Sequence, residues 1–355
     1  MDSSQTISKL HLYHFRGLND LMLDNLSQVN VFAGANNCGK TSVLEAIRLL
    51  RNPSDVGQLV WISTVRAGAS AETKKENLIN YLLSIFQRDD DDEKTPFYHL
   101  KVGAEVHGEY HLYEADGNLV DLTDSSGEER QMLALSVKDS DGQGGKPSYQ
   151  TAEIINGEDK TFVASQKSLF GTTYLLSSLN YYRVAVEVLS DYIIREGKGE
   201  VLSVLRTFDP NIDDISIVGK DIYLHNTATG SLPLFAYGSG MQKAVLLTVI
   251  IAFRRDGVIL IDEIDNAIHV SAFEDVFRWL LDACLTYNVQ AFITTHSAEA
   301  LDAILRVNHE RHAEDDLLRI ITLRKNYSSQ ATSKRVRTGE EAYRDREQFG
   351  LELRV

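Results

Sequence analysis

A run of residues near the start of the chain has the types and spacing of a phosphate-binding loop. Residues 34–41, Gly-Ala-Asn-Asn-Cys-Gly-Lys-Thr, match the pattern G-x-x-x-x-G-K-[ST]. The two glycines permit backbone angles that side chains forbid, so successive N–H groups can point at phosphate oxygens. In such a loop the lysine reaches the β- and γ-phosphates, and the threonine hydroxyl binds Mg²⁺. The pattern therefore predicts a nucleoside triphosphate site with Lys40 and Thr41 as side-chain ligands.

The segments on either side of this loop are those that such a site requires. Residues 28–33 predict a short buried strand, and residues 42–50 have apolar side chains at helical spacing. This order places the loop at a helix N-terminus, where free N–H groups and the helix dipole favour an anion. The alternative is a glycine-rich turn that matches by chance, and the flanking strand and helix argue against it.

A second group of candidate residues follows an apolar stretch much later in the chain. Residues 257–263, Gly-Val-Ile-Leu-Ile-Asp-Glu, predict a strand that is buried on both faces of a parallel sheet and ends in two acids. Ligands of such sheets bind beyond the carboxyl ends of the strands. Asp262 can therefore hold magnesium, while Glu263 orients and deprotonates a water. Taken alone, these acids could equally be a solvated strand end; the upstream phosphate loop favours the catalytic interpretation.

Two further motifs indicate how a complete site would be assembled. Residues 238–243, Gly-Ser-Gly-Met-Gln-Lys, here called the signature segment, precede an apolar helix and offer a second N-terminus to a γ-phosphate. Because this segment is far along the chain from the loop, the sequence predicts a head-to-tail pair of subunits. Each would supply its phosphate loop in cis and its signature segment in trans. Residues 291–297, Ala-Phe-Ile-Thr-Thr-His-Ser, predict another buried strand, and His296 would lie beside the γ-phosphate.

Together these motifs resemble the ABC-type ATPase heads of the RecF/SMC and OLD-like class, and more closely the bacterial AAA-family ATPases with an OLD-type ATPase domain. The likeness includes Leu-His-Leu-Tyr-His-Phe-Arg-Gly-Leu at 10–18 and Gly-Leu-Glu-Leu-Arg at 350–354, and it is weak over 51–165. It implies an α/β fold: a P-loop ABC-ATPase head with a mixed or parallel core sheet, an antiparallel β lobe and a helical lobe. It also implies ATP and Mg²⁺ as cofactors. In this class Arg16 either approaches the nucleotide or is a solvated arginine at a strand end.

The resemblance assigns functional residues by position. It implies catalytic roles for Glu263 and His296, and magnesium binding by Thr41 and Asp262. The residues that it implies for ATP binding are Gly34, Asn36, Asn37, Cys38, Gly39, Lys40, Thr41, Ser42, Ser239, Gly240 and Gln242.

Some positions differ from the pattern of the class or remain unassigned. Cys38 replaces a common serine, which should matter little because that position contributes mainly its backbone. Met241 replaces the second glycine of the transporter-type signature. Asp265 falls where the class has its D-loop aspartate. The glutamine that would complete the magnesium shell is unassigned; Gln58 and Gln87 are candidates by position only, and each is equally an ordinary polar surface residue.

The whole chain, residues 1–355, is predicted to be a single ABC-type ATPase domain with several parts. These parts are an N-terminal ATP-binding core at 1–57, a β-rich and helical insertion at 58–165, a helical lobe at 166–237, a core with the signature, Walker B and switch histidine at 238–325, and a C-terminal tail at 326–355. Within the helical lobe, the apolar spacing that includes Leu175 and Leu176 predicts helices.

Charge and composition limit the classes of partner. The 355 residues carry a net charge of −15, whereas DNA binding draws its strength from lysine and arginine. Nucleic acid is therefore possible but disfavoured. The densest basic positions, each more typical of a solvated surface, are Arg254, Arg255, Arg324, Lys325, Lys334, Arg335 and Arg337. Two cysteines predict no disulfide framework and hence a reducing cytoplasm, and no apolar run approaches the ~18 residues of a membrane span.

These features predict an ATP-hydrolysing head that forms a homodimer, or a higher even-numbered oligomer, through ATP. By analogy with the class, it would control a separate effector protein, a nuclease or toxin, in prokaryotic anti-phage defence. No Asp-x-Asp follows His296, so a Toprim nuclease is not expected in this chain. One alternative is a RecF/SMC-like ATP-dependent DNA-binding repair or clamp protein. Another is a scaffold whose bound nucleotide turns over slowly.

Overall fold

A computed structural model describes most of the chain. The described residues are 6–53, 55–66, 70–89, 97–123, 129–141, 146–158, 162, 168–171, 174–176, 181–219, 221–238, 242–243, 246–247, 250–251, 255–266, 268–326, 328 and 331–354. Ser239, Gly240, Met241 and Arg254 from the sequence predictions lie outside them.

Strands and helices alternate along the second half of the chain, while the first half is dominated by strands. The strands are β1 (Ile7–Phe15), β2 (Leu18–Leu23), β3 (Val29–Ala33), β4 (Gln87–Asp89), β5 (Phe97–Val106), β6 (Glu109–Thr123), β7 (Glu129–Asp141), β8 (Ser148–Ile155), β9 (Tyr174–Leu176), β10 (Ile212–Val218), β11 (Asp221–Asn226), β12 (Gly230–Pro233), β13 (Val258–Ile261), β14 (Gln290–Thr294), β15 (Leu318–Lys325) and β16 (Thr332–Thr338). The helices are α1 (Lys40–Leu50), α2 (Val56–Val65), α3 (Ala71–Glu76), α4 (Leu78–Leu83), α5 (Tyr181–Glu196), α6 (Gly199–Phe208), α7 (Phe273–Thr286), α8 (Ala298–His312) and α9 (Gly339–Phe349). The described residues between 242 and 251 are also helical.

A six-stranded mixed sheet forms the centre of the fold. Its strand order is β16-β15-β3-β14-β13-β9, and every neighbouring pair is parallel except β15 with β16. All residues of β3, β13 and β14 are buried. This matches the nearly continuous apolar character of strands that are covered on both faces. The predicted fold class, with its mixed core sheet, is confirmed.

Alternate side chains of the central strands pack into two hydrophobic cores, one on each face of the sheet. Val31 and Ile261 point into a core that also contains α7 and α8 residues such as Phe277. Phe32 and Leu260 point into the other core, which lies beneath α1 and the antiparallel sheet. The period-two alternation of side chains thus produces the layered arrangement.

The register of the parallel strands brings the candidate residues to one edge. Phe32 of β3 pairs with Thr294 of β14, and Ile261 of β13 pairs with Ile293. The carboxyl ends of these three strands are therefore level. The phosphate loop, Asp262 and the end of β14 all follow at this edge.

A seven-stranded antiparallel sheet forms the β-rich lobe. Its order is β2-β1-β5-β6-β7-β8, and β4 pairs with β5. β5 to β8 of this sheet lie between Phe97 and Ile155, within the β-rich and helical insertion predicted at 58–165. Inward residues of this sheet join the core beneath α1, so β1 and the turn before β2 are fixed beside the phosphate loop.

The region predicted to be a helical lobe contains strands as well as α5 and α6. The prediction of a helix at Leu175 and Leu176 is wrong, because β9 includes both residues and pairs in parallel with β13. A short apolar run does not distinguish a buried strand from a helix, and here pairing to the core sheet decides. β10, β11 and β12, which lie in the same region, form a three-stranded sheet in the order β10-β11-β12. Among the described helices, none is both long and apolar enough to cross a membrane.

Candidate nucleotide-binding site

The loop between β3 and α1 has a backbone that only glycine accommodates at two positions. Gly34 has φ +146°, and a Cβ there would lie 2.3 Å from the carbonyl oxygen of Leu323. Gly39 has φ +101°, and a Cβ there would lie 2.5 Å from the side chain of Leu18. Gly39 also provides the N-cap of α1 and has no side chain to occupy the free N–H groups of its first turn. These groups remain available to an anion.

Lys40 folds back over this loop. Its Nζ donates to the carbonyl oxygens of Gly34 and Ala35, each at 2.8 Å. The ammonium group is thus held at the mouth of the loop by weak, neutral acceptors. A phosphate oxygen would be a stronger, charge-assisted acceptor for the same group.

A hydrogen-bonded chain of three side chains forms the floor of the site. The Thr41 hydroxyl donates to Asp262, with Oγ1 at 2.9 Å from Oδ1 and 3.1 Å from Oδ2. On the other side, Thr294 Oγ1 donates to Asp262 Oδ1 at 2.7 Å. These hydrogen bonds join the ends of β13 and β14 to the first turn of α1. The sequence prediction did not include Thr294, although a hydroxyl at the carboxyl end of a buried strand is a recognisable signal.

Glu263 sits in a strained turn directly after the strand. Its φ is +51°, which is uncommon for a residue with a side chain, and its N–H donates to Thr294 Oγ1 at 2.8 Å. The side chain is exposed. Strained backbone of this kind is characteristic of functional sites, because the surrounding structure must hold it.

His296 lies beyond the end of β14, beside Asp265. Its Nδ1 is 3.4 Å from Asp265 Oδ2, and the ring is 52% exposed. Thr295 Oγ1 donates to the other oxygen of Asp265 at 2.5 Å, and Arg354 Nη1 donates to the His296 carbonyl oxygen at 3.0 Å. The histidine is therefore positioned from both sides while its ring stays accessible.

These residues surround a cavity of about 510 Å³. Of the predicted residues, its walls include Asn36, Asn37, Cys38, Gly39, Lys40, Thr41, Ser42, Asp262, Glu263 and His296, together with Arg16. The sequence prediction missed Leu18, Arg66, Thr294, Lys325 and Thr332. Gln58 and Gln87 are not among the lining residues of this cavity.

Two arginines at the cavity wall are anchored by one buried carboxylate. Glu45 of α1 is 0% exposed; its oxygens accept Arg16 Nε at 2.8 Å and Arg66 Nε and Nη2 at 2.7 Å each. Burial raises the pKa of the Glu45 carboxyl, and the two guanidinium groups oppose that rise. Burial also disfavours the charged form of Arg16, whose side chain is only 15% exposed, and so lowers its pKa. Arg16 is therefore a fixed part of the wall and not a freely solvated strand end.

The described residues of the signature segment do not line the cavity of their own chain. Of its residues, Gly238, Gln242 and Lys243 are described, and none of the three lines the cavity. Gln242 Nε2 donates to the carbonyl oxygens of Tyr237 at 2.7 Å and Phe235 at 3.3 Å. These hydrogen bonds tie Gln242 to the backbone just before the signature segment.

The oxygen atoms at the floor are of the kind that Mg²⁺ prefers. Thr41 and Asp262 offer a hydroxyl and a carboxylate within 3.1 Å of each other. In the described part of the chain, no group of three or more His, Cys, Asp or Glu side chains could hold a metal ion by itself. Mg²⁺ is usually bound by one or two protein ligands, substrate phosphates and water, so the donor set fits this ion.

Family comparisons agree with this description over most of the chain. Residues 6–118 match the family described as an AAA ATPase domain. Residues 156–302 match the family described as an AAA domain, putative AbiEii toxin, Type IV TA system.

Individual relatives are distant or short. An "ATP/GTP phosphatase" of Helicobacter pylori is 24% identical over 336 residues, which cover 86% of this chain and 89% of that protein. An uncharacterized protein of Methanocaldococcus jannaschii is 49% identical over 43 residues, which are 12% of this chain and only 20% of that relative's length.

The fold is shared with solved structures of Smc heads. The crystal structure of an Smc head bound to the C-winged helix domain of ScpA aligns with a TM-score of 0.50 and 11% identity, and the alignment covers 95% of this chain and 98% of that one. Two stretches of the chain are thus similar to AAA ATPase family models, and its fold is that of an ATPase head of the Smc type.

Proposed function

We propose that this chain binds and hydrolyses ATP with Mg²⁺, that two copies close around the nucleotide, and that this cycle controls a separate effector protein. The observation that carries the first step is the hydrogen-bonded floor of the cavity. Thr41, Asp262 and Thr294 come from three elements and converge within 3.1 Å under the phosphate loop. Polar side chains that converge at the carboxyl ends of parallel strands are typical of a ligand site.

Each residue of the site has a role that its position supports. The N–H groups at the start of α1 and the Lys40 ammonium would hold the phosphates. Bound at Thr41 and Asp262, Mg²⁺ would neutralise charge that develops on the phosphates. The exposed carboxylate of Glu263 would orient the attacking water and accept its proton, and His296 would contact the γ-phosphate.

The position of the described signature residues supports the proposed dimer. Ser239, Gly240 and Gln242 are proposed to bind the γ-phosphate, yet Gln242 and Gly238 lie outside their own chain's cavity. A second copy placed head to tail would bring a signature segment to each open cavity. Phe235, next to this segment, is 62% exposed, as expected of a surface that a partner covers.

Turnover and binding assays on three proteins test the enzyme. Lys40→Ala is expected to weaken ATP binding about 100-fold or more, because the charge-assisted contacts to the phosphates are lost. Glu263→Gln is expected to bind ATP normally, to reduce phosphate release at least about 100-fold and to accumulate as a dimer in light scattering. Normal hydrolysis by Glu263→Gln would exclude this mechanism. Wild-type turnover far below one per minute would instead favour the slow-turnover scaffold.

The proposed cellular role is control of an effector protein in anti-phage defence. The family description of residues 156–302 names a putative toxin of a type IV toxin–antitoxin system, which supports a cellular role of this kind. We also propose that the chain is related more closely to OLD-type ATPases than to other heads of this class. In a bacterial host that expresses the chain with its genomic neighbours, phage plaques should fall in number. Lys40→Ala should abolish this protection, and equal protection by that variant would contradict ATP-dependent control.

The RecF/SMC-like DNA clamp remains the alternative, and charge pairing argues against it. Lys334 contacts Asp24 at 2.7 Å, while Arg337 and Arg335 contact Asp345 at 2.7 and 3.6 Å. These cations are therefore already paired with carboxylates. Anisotropy of labelled duplex DNA, measured with the Glu263→Gln dimer at low salt, separates the two functions. Tight, salt-sensitive binding would favour the clamp.

A further inference from the structure

Lys243, the last residue of the signature segment, is buried under the turn that carries Glu263. Its side chain is 7% exposed. The ammonium Nζ donates to the carbonyl oxygens of Ile264 and Asn266 at 2.6 Å each, and it lies 3.4 Å from that of Glu263. One cation thus collects three carbonyls from a single turn.

A buried ammonium is costly unless every donor is used, so its retention calls for a reason. Burial lowers the pKa of Lys243 to about 8, while the nearby Asp265 and Glu263 carboxylates oppose that shift. A methionine would fill the same space without this cost. The lysine is therefore kept for the contacts that its N–H groups make.

The Lys243 contacts stabilise the turn at residues 263–266, which has a strained backbone and is also hydrogen-bonded to β14. Glu263 has φ +51°, its N–H is bound by Thr294 Oγ1, and the N–H of Ile264 donates to the Thr294 carbonyl at 3.0 Å. Asn266 N–H donates to the Glu263 carbonyl at 2.9 Å. β14 thus fixes the amide side of the turn, and Lys243 fixes the carbonyl side. Without Lys243, the Glu263 peptide can rotate toward a more relaxed backbone.

We propose that Lys243 is a positioning residue that ties the signature segment to the catalytic turn of the same chain. When a signature segment closes on the partner's nucleotide, Lys243 moves with it and sets the Glu263 carboxylate of its own cavity. Each nucleotide site of the dimer contains the phosphate loop of one chain and the signature segment of the other. The two sites are thereby coupled, because a chain hydrolyses its own nucleotide only after its signature segment has bound the partner's nucleotide. This inference rests on the proposed function and adds the route of communication.

Substitution at Lys243 separates positioning from binding. Lys243→Met is expected to lower kcat about 10- to 100-fold, as a small misplacement of a catalytic group does, and to leave KM and the affinity for a non-hydrolysable ATP analogue within about threefold. Lys243→Arg keeps the charge and donors and should recover part of the lost kcat. Lys198→Met is the control, because it removes another hydrogen-bonded ammonium group, which donates to the Asp214 carboxylate at 2.8 Å and lies between α5 and α6, away from the turn. It should leave kcat unchanged.

Mixed dimers test whether the effect runs through Glu263 or through the signature contact. Two differently tagged chains are co-expressed, and one carries Glu263→Gln, so that only the other chain's Glu263 acts. Lys243→Met placed in the chain with the intact Glu263 should lower kcat as in the homodimer. The same substitution placed in the Glu263→Gln chain should leave kcat near that of the parent mixed dimer. The reverse pattern would overturn the proposal, because Lys243 would then act on the partner's nucleotide.

Amide hydrogen exchange of the nucleotide-free protein gives a readout that needs no catalysis. Peptides that cover residues 263–266 should exchange at least about tenfold faster in Lys243→Met than in the wild type, while the peptides of β3 and β14 stay unchanged. Uniform acceleration across the chain would assign Lys243 a merely structural role and overturn the proposal. Should the methionine variant fail to fold, Lys243→Gln, which keeps an amide donor, takes its place with the same expected pattern. A wild type without ATPase activity that still shows this local effect would refute the proposed function but not the tie between Lys243 and the turn.

Discussion

Thr294 is the residue whose removal tests the floor of the site most directly. Its hydroxyl donates to Asp262 Oδ1 at 2.7 Å and accepts the Glu263 N–H at 2.8 Å, and the residue is 0% exposed. Thr294→Val replaces the hydroxyl with a methyl group of similar volume. A hydrogen bond to a charged group contributes about 1.5–3 kcal/mol, and a buried N–H left without an acceptor costs about 1–3 kcal/mol. The free energy of unfolding should therefore fall by about 3–6 kcal/mol.

Urea denaturation of the wild type, Thr294→Val and Thr294→Ser measures this loss. Serine keeps both hydrogen bonds and removes only a methyl group, so it should cost about 1 kcal/mol. A whole domain is stable by only about 5–15 kcal/mol, so the valine variant should fold but melt at a much lower temperature. Its kcat should also fall, because Asp262 and the Glu263 turn both lose their common anchor. A valine variant within 1 kcal/mol of the serine variant would refute the assignment of Thr294 as this anchor.

Three further substitutions address the loop, the anchored arginines and the buried lysine. Gly34→Ala would place a Cβ 2.3 Å from a carbonyl oxygen at φ +146°, whereas Gly108→Ala, at φ +80°, has nothing within 4 Å. In thermal denaturation the first should lose about 3 kcal/mol or more and the second about 1–2 kcal/mol, and equal losses would contradict the close packing of the loop. Glu45→Gln leaves two guanidinium groups without their carboxylate and should lose about 3–5 kcal/mol of unfolding free energy in urea; an unchanged midpoint would show that the arginines re-pair elsewhere. Burial lowers the pKa of Lys243 from 10.5 to about 8, so above pH 8 the unfolded chain binds more protons than the folded one. The unfolding free energy of the wild type relative to Lys243→Met should accordingly rise between about pH 8 and pH 10.5, by up to about 3 kcal/mol, and urea curves at pH 7.5 and 9.5 check the sign.

The parts of the site that are local in sequence could be predicted from it. The phosphate loop needs two glycines, a lysine and a threonine at fixed spacing between a strand and a helix, and all of these lie within one short stretch. Asp262 and Glu263 could be found because an apolar run that ends in acids predicts a strand end. Each inference uses only neighbouring residues, so tertiary packing could not alter it.

The parts that depend on contacts between distant elements could not be predicted. Arg66, Lys325 and Thr332 reach the cavity only because α2 packs on α1 and because β15 lies beside β3. Leu175 and Leu176 have a spacing that suits a helix, yet pairing to β13 makes them a strand. In the sequence, Lys243 looks like an ordinary polar residue at the end of the signature segment. Its burial becomes visible only when the turn after β13 is placed above it.

The distribution of charge would let an acidic chain bind a triphosphate while disfavouring DNA. The net charge is −15, but Arg16, Lys40, Arg66 and Lys325 all face the same cavity. Charges separated by more than about 8–10 Å in solvent are screened at physiological salt, whereas partly enclosed pairs are screened much less. A triphosphate inside the cavity therefore experiences mainly the local cations. A DNA duplex would not fit into a cavity of about 510 Å³, and the net charge of −15 would oppose its approach.

The salt dependence of nucleotide affinity tests whether the cations of the cavity govern binding. Between about 50 and about 200 mM salt, the affinity for a non-hydrolysable ATP analogue in isothermal calorimetry should change less than about tenfold, whereas a protein that contacts many DNA phosphates loses about 10³ or more over this range. Lys325→Met and Lys334→Met form a matched pair, because Lys325 faces the cavity and Lys334 is paired with Asp24 at 2.7 Å. The first should weaken nucleotide binding and the second should not. Equal effects would mean that the acidic surface as a whole, and not the local cations, governs the affinity for the nucleotide.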